Sequence, residues 1–543
     1  MRKLYNSKSI AITIILIVSF GVYANTLFNG FVHDDNEQVL ENPWIRDSRY
    51  IPDIMFGAVW AFKKLGATNY YRPTMNLTYM AEYHIFGLKP WGWHLVNIVF
   101  HALNSIMVFL IALIIFNKQA MLNLLQIQNL KSQFPIPAFI AAIFFVVHPV
   151  NTEPVAWVAG VPELTFTLFY LPSFYLYINY SVGSKSYIVA VILFFLGALS
   201  KETALTLPIL LFIYDYVFRR DSIKTFSDYI KRYLPFAIIA GLYMLLRIYA
   251  LNGFAPFKRH PELNSYQYFI NIFPLFIQYL EKLLLPVNLN AFHVLHPVYS
   301  VLEPRFVISL LLTFSFFIFV ILIKKTNNVV FFTLLWIFIP LLPALYIPGV
   351  GEATFAERYL YLPSAGFVIL STYMLAMLFD KLGCYNNGKF FRIVFVISLS
   401  VIIALCSAGT VKRSFVWAND LTLWSDTVKK SPDSIFVNYN LGRAYQEYGL
   451  FDNAISAYRD ILRRDPSLIK VRNNLGVALG QMGLYAEAIA EFKKVLLTAP
   501  EDRDARRNIG LAYINIKDCD TARNFLKPED DILIRQFLDK CSK

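Results

Sequence analysis

The sequence predicts an all-α protein in two parts: a polytopic membrane domain of about 11 spanning helices, then an α-solenoid of short helical hairpins. Three observations lead there. Of 543 residues, 57% are hydrophobic, 16% aromatic and 16% charged, whereas a soluble domain averages about 45–50% apolar and about 25% charged. This excludes a disordered chain, a fibrous chain and an ordinary soluble enzyme. Second, the charge is uneven. Residues 412–543 hold 21 Lys+Arg and 18 Asp+Glu, and residues 1–411 hold the other 29 and 19, which is about 30% charged against about 12%. Third, the polar part repeats every 34 residues: Pro432, Pro466 and Pro500 share one register.

Apolar runs long enough to approach a span of roughly 20 residues lie near 9–28, 95–116, 136–150, 163–181, 187–200, 203–218, 233–251, 303–323, 329–347, 359–379 and 391–411. The first follows Arg2, Lys3 and Lys8 but runs on without a small-residue cleavage site, and so reads as an uncleaved anchor. Residues 266–286 are apolar as well, yet Asn271, Pro274, Gln278, Glu281 and Lys282 interrupt them. Such groups are costly in mid-bilayer, and an amphipathic helix in the interface is expected. With that segment not crossing, the amino terminus and the basic loops fall on one side, which collects 16 basic and 4 acidic residues against 13 and 15 on the other. By the positive-inside rule the first side is cytoplasmic and the repeats lie outside the cytosol.

The net charge of +13 is thereby a topological signal. A nucleic-acid footprint needs Lys and Arg clustered on one face, and here they are dispersed between apolar runs. Four cysteines make no disulfide framework and no pair has metal-ligand spacing. Cys384 and Cys406 read as ordinary thiols in or beside apolar runs. Cys519 and Cys541 stand on neighbouring expected helices, where an oxidising compartment permits a disulfide.

In the polar part, Asn440-Leu441-Gly442, Asn474-Leu475-Gly476 and Asn508-Ile509-Gly510 keep the 34-residue register, as do Ala454, Ala488 and Ala522. A small residue in each helix and Pro after the second is the tetratricopeptide pattern. The domain is expected over 412–543, with a half repeat at 412–432, repeats at about 433–466, 467–500 and 501–528, and a capping helix at 529–542. Its concave groove would bind a peptide or partner protein, or the array would act as a spacer. Asn440, Asn474 and Asn508 would form a ladder along an extended peptide, or serve the packing of neighbouring helices.

Chemistry-bearing residues concentrate in the non-cytoplasmic loops. His33-Asp34-Asp35 follows the first span directly, and adjacent carboxylates raise one pKa or recruit a cation, which prepares a general base or a metal ligand. An isolated Asp-Asp is more often a solvated turn. Tyr71-Arg72-Pro73, Glu82, His84, His94, His101, His148 to Glu153, Ser200-Lys201-Glu202 and Glu357-Arg358-Tyr359 occupy the same expected face. Charges at helix ends near a bilayer are usually functional. Together they offer carboxylates, imidazoles and cations at headgroup level, which suits a phosphate-linked lipid substrate.

The ordered motifs FVHDD, NYYRPTMNLTYM, GWHLVNIVFHALNS, HPVNTEPVAWVAG, LSKETALTLPILLFIYDY and AERYLYLPSAGF, followed by the repeats, resemble the transmembrane and tetratricopeptide-repeat O-mannosyltransferase family, within the polytopic glycosyltransferases of the C fold. The resemblance spans nearly the whole chain. It implies an inverting transfer of a sugar from a polyprenyl-phosphate donor to a protein or glycan on the periplasmic or lumenal side. Asp34 and Asp35 match the acidic motif that supplies the catalytic base. Arg72, Lys201 and Arg358 are then candidates for the donor-phosphate clamp, and His94, His148, Glu153, Glu202 and Glu357 for supporting or acceptor contacts. Lys201 paired with Glu153 or Glu202 in a tight turn would account for those residues structurally. Metal use stays open: the first-loop carboxylates would hold Mg or Mn, although some relatives need no metal. The short array and the absence of a long insertion in the membrane core point to a prokaryotic member in an inner membrane and leave the sugar open.

Two other readings are weighed against this one. A membrane-anchored tetratricopeptide scaffold would need one or two spans, far fewer than this chain has. A transporter would carry polar groups in mid-span, where Asn104, Pro208 and Pro274 are weak support.

Overall fold

The computed structural model of the protein describes residues 2–63, 68–118, 135–220, 225–256, 260–349, 353–381 and 389–526, and among them it contains helices and no β-strand. The chain divides into two compact units, Met1–Asn419 and Asp420–Lys543. The division falls a few residues beyond the compositional break at 411. Helix Lys389–Ser414 continues into the turn Phe415–Ala418, which stays with the first unit: Trp417 is buried and Gly30 N donates to Ala418 O at 2.9 Å. Only helix Asp420–Lys430 of the expected half repeat therefore belongs to the second unit.

All eleven expected spans fold as helices, but they are unequal. Among the described residues seven are long and apolar enough to cross a membrane: Ser7–Phe28, Pro90–Asn117, Phe226–Leu251, Pro304–Ile323, Asn328–Leu345, Glu357–Lys381 and Phe390–Ala418. An eighth forms if Ile136–Val147 and Pro149–Ala156, bent by 51°, are one span. The bend has a chemical cause. Pro149 pushes His148 into extended backbone (φ −66, ψ 120). Side chains then take up the freed carbonyls: Thr410 Oγ1 donates to Val147 O at 2.7 Å and Asn151 Nδ2 to Phe145 O at 2.9 Å. The remaining helices are Val161–Asn179, Lys185–Ser200 and Leu207–Phe218, of 19, 16 and 12 residues. The first of these carries Glu163, Thr165, Thr167 and Ser173, all buried. The protein is an integral membrane protein.

Helix Ser265–Leu284 covers the segment expected in the interface and is not among the span-length apolar helices. A capping box starts it, with the Asn264 side chain accepting from Gln267 N. The irregular strap that follows takes up two of its polar residues: Asn271 Nδ2 donates to Val298 O and Asn271 Oδ1 accepts from Val298 N, both at 2.8 Å, and Lys282 Nζ donates to Val287 O at 3.1 Å.

In the second unit, helix pairs Ile435–Glu447 with Phe451–Arg464, Ile469–Gln481 with Tyr485–Thr498, and Arg503–Asn515 with Cys519–Phe525 stack in register. Gly476 lets the second pair close up, since a Cβ there would sit 2.6 Å from Phe492 Cε1. Cys519 is disulfide-bonded. Cys541, Cys384 and the expected capping helix 529–542 lie outside the described residues.

Candidate active site

The first-loop aspartates have different environments. Asp35 is fully buried, and both its oxygens accept backbone N–H bonds, Oδ2 from Val32 at 3.0 Å and Oδ1 from Ala159 at 2.7 Å. It staples the loop to the Val158–Gly160 turn. Asp34 keeps 36% of its side chain exposed, with Oδ1 3.5 Å from His33 Nδ1. Glu82 is buried behind them on helix Pro73–Phe86. Burial first, and then the charge of Asp35, push its carboxyl well above the usual range.

These donors do not suit a divalent cation. Asp35 is committed to amides, and among the described residues no group of three or more His, Cys, Asp or Glu side chains is placed to hold a metal.

The three expected cations converge, and each has a carboxylate. Arg72 Nη2 lies 3.0 Å from Glu202 Oε1. Arg358 Nη1 lies 2.5 Å from Glu153 Oε1, and its backbone N–H donates to Oε2 at 3.0 Å. Lys201 pairs with Glu163, not with either carboxylate expected from the turn, because the Lys185–Ser200 helix delivers it beside the start of Val161–Asn179. Tyr359 ties the group together, with Lys201 Nζ 4.4 Å and Arg358 Cζ 5.0 Å from its ring centroid. Arg358 also stands over Trp157, 5.5 Å from the centroid, and Trp157 stacks on His33 at 5.6 Å. Contacts thus run from Asp34 through His33 and Trp157 to the cations.

Beside Lys201 and Glu202 opens a cavity of about 480 Å³, lined among others by Tyr70, Glu163, Tyr243, Arg247, Pro343 and Tyr359. Arg247, 7% exposed, is held by Asn69 O at 2.8 Å and Tyr243 Oη at 3.4 Å, and its Nη1 lies 4.0 Å from Glu202 Oε2. Burial alone would raise the Glu202 carboxyl, but Arg72, Arg247 and Lys201 outweigh it and hold it at about 2. Burial pushes the Lys201 ammonium below its ordinary value, opposed by Glu163 and reinforced by Arg72. Arg72 Nε is buried with no hydrogen-bond acceptor among the described residues. Arg72, Lys201, Arg247 and Arg358 face Glu153, Glu163 and Glu202, one positive charge in excess, which favours an anionic ligand.

The other expected residues serve the framework. His94 Nε2 is 3.3 Å from Gly30 O, and His148 Nε2 is 3.2 Å from Leu283 O; both rings are buried and neither lines the cavity. Glu357 accepts from Asn290 N at 2.5 Å and His293 Nε2 at 3.0 Å, pinning the 285–303 strap. In the repeats, Asn440 Nδ2 donates to Phe436 O at 2.8 Å, Asn474 Nδ2 to Tyr439 Oη at 3.0 Å and Asn508 Nδ2 to Asn473 Oδ1 at 3.3 Å. These amides join their own helix or the preceding repeat. Glu163 and Arg247 were not singled out from the sequence. The available signal was Arg247 itself, an ionisable residue inside an apolar run.

The tetratricopeptide repeat profile matches residues 437–468 and 469–502. A protein O-mannosyl-transferase of Caenorhabditis elegans is 30% identical over 452 residues, covering 81% of this chain and 61% of the relative. The similarity is thus to protein O-mannosyl-transferases. Protein O-mannosyl-transferase TMTC3 of Homo sapiens is 27% identical over 486 residues, covering 82% of this chain and 50% of the relative. The chain thus spans about 50–61% of the length of these relatives. Among solved structures, ArnT from Cupriavidus metallidurans bound to undecaprenyl phosphate aligns over 95% of this chain and 81% of that one, at 14% identity and a TM-score of 0.40.

Proposed function

We propose that this chain is an inverting glycosyltransferase of the kind its relatives are named for. It moves a sugar from a polyprenyl-phosphate donor to a hydroxyl of a protein or glycan on the periplasmic or lumenal side, and the repeats recruit the acceptor or a partner. The observation that carries the reading is a partly apolar cavity edged by Lys201 and Arg247, whose wall residue Tyr359 connects through Arg358, Trp157 and His33 to the partly exposed carboxylate of Asp34. The names of the relatives support sugar transfer.

In the reaction, Asp34 takes the proton of the acceptor hydroxyl. The oxygen attacks the anomeric carbon, and the bond from that carbon to the phosphate oxygen breaks with its electron pair leaving on phosphate. Phosphate is a good leaving group once its charge is held, so positioning and electrostatics supply most of the acceleration. Arg247 and Lys201, which line the cavity, form the anion clamp, and Arg72 supports it through Glu202. Asp35 shapes the loop and takes no proton. The apolar wall of Leu205, Met244, Phe254 and Pro340 accommodates the first isoprene units.

Replacing Asp34 with Asn is the direct test. Glycoproteins of cells whose only copy is Asp34→Asn are compared with wild type by intact mass spectrometry. Loss of the added sugar at unchanged protein abundance is expected; full glycosylation would sink the reading.

A further inference from the structure

His33 has a left-handed backbone, φ 54. This conformation costs a non-glycine residue about 1 kcal/mol or more, although Asn, Asp and His adopt it more readily than others, and it persists where the surroundings over-determine it, often at functional sites. The surroundings here are specific. The imidazole lies flat on Trp157, with centroids 5.6 Å apart and planes at 11°. Trp157 is itself clamped: its far neighbour Trp417 stacks at 5.5 Å, and its Nε1 donates to Val32 O at 3.4 Å. The Asp35 staple holds the same turn from below. A residue free to rotate would not need this much support. In this arrangement Nδ1 lies 3.5 Å from Asp34 Oδ1. That separation is long for a finished hydrogen bond, but such bonds often tighten only when substrate binds.

We infer that His33 is a positioning residue: the left-handed turn and the Trp157 stack hold its imidazole so that Nδ1–H fixes the rotamer of the Asp34 carboxylate and leaves the second oxygen for the acceptor hydroxyl. The inference rests on the proposed role of Asp34 as base. It assigns a cause to the strained turn and to the aromatic stack beneath it. Misplacing a reacting group by about 1 Å costs on the order of 100-fold in rate.

The test uses membrane vesicles containing the full chain and their endogenous lipid-linked donor, with transfer read as sugar mass added to protein per unit time. His33→Gly and His33→Asn both tolerate the left-handed turn, so either preserves the loop. The expected result is a 10–100-fold slower transfer in His33→Gly, a smaller loss in His33→Asn, unchanged protein abundance in both, and partial recovery of the His33→Gly rate on adding free imidazole. Wild-type rate in His33→Gly overturns the inference. So does a loss that imidazole leaves untouched and that comes with lowered thermal stability, because that pattern belongs to a structural residue. Failure of the parent reading looks different: Asp34→Asn would then transfer sugar normally, whatever His33 does.

Discussion

Lys201 and Glu163 are 3% and 4% exposed in their side chains and contact one another directly, so they form a buried ion pair. Removing one partner strands the other charge, which typically costs about 3–5 kcal/mol, whereas replacing both with apolar residues of similar volume is often neutral. Lys201 also lies 4.4 Å from the Tyr359 ring centroid, a contact worth about 0.5–2 kcal/mol that either change at Lys201 removes. Lys201→Met alone should therefore destabilise the membrane unit by about 3–5 kcal/mol, and Lys201→Met with Glu163→Met by only about 0.5–2 kcal/mol. Thermal unfolding of the full chain in detergent reports the order, and a transfer assay on the same samples reports function. If Lys201 holds donor phosphate, the double variant regains stability but not transfer; if the pair is structural, it regains both. A single variant as stable as wild type, or a double variant as unstable as the single, would refute the reasoning that burial dominates here.

Glu202 provides a pH test. Its folded carboxyl is held at about 2 against an ordinary 4.5, so its contribution is complete above pH 4.5 and is lost as pH falls toward 2. Glu202→Gln should flatten the loss of stability across that window, measured by unfolding at fixed pH steps; an unchanged slope contradicts it. In the repeats, Gly476→Ala puts a Cβ 2.6 Å from buried Phe492. Overpacking of about 1–3 kcal/mol against a helix-propensity gain of about 1 kcal/mol leaves a net destabilisation of up to about 2 kcal/mol. Gly480→Ala meets nothing closer than 4.0 Å and should slow amide exchange of helix 469–481 where Gly476→Ala accelerates it.

What one-dimensional pattern encodes, the sequence determined by itself. Apolar runs located the helices because a spanning or buried helix must be apolar over many consecutive residues. The 34-residue register exposed the repeats because each hairpin must present the same small residues to its neighbour. The first-loop acids and the turn cations stood out because charge is scarce among residues 1–411. Partnership was decided only in three dimensions. Lys201 finds Glu163 38 residues away, Arg72 finds Glu202 at 130 and Arg358 finds Glu153 at 205, and no spacing rule reaches that far. Asp34 and Asp35 are chemically identical in the sequence. They differ because two backbone amides, one from the distant 158–160 turn, claim both oxygens of Asp35 and leave Asp34 within reach of solvent. The repeat asparagines show the same limit: periodicity marks them as equivalent, while packing turns the amides of Asn474 and Asn508 toward the preceding repeat and leaves that of Asn440 on its own helix. Periodicity reports which face a residue occupies, and the chain's return path decides what that face meets.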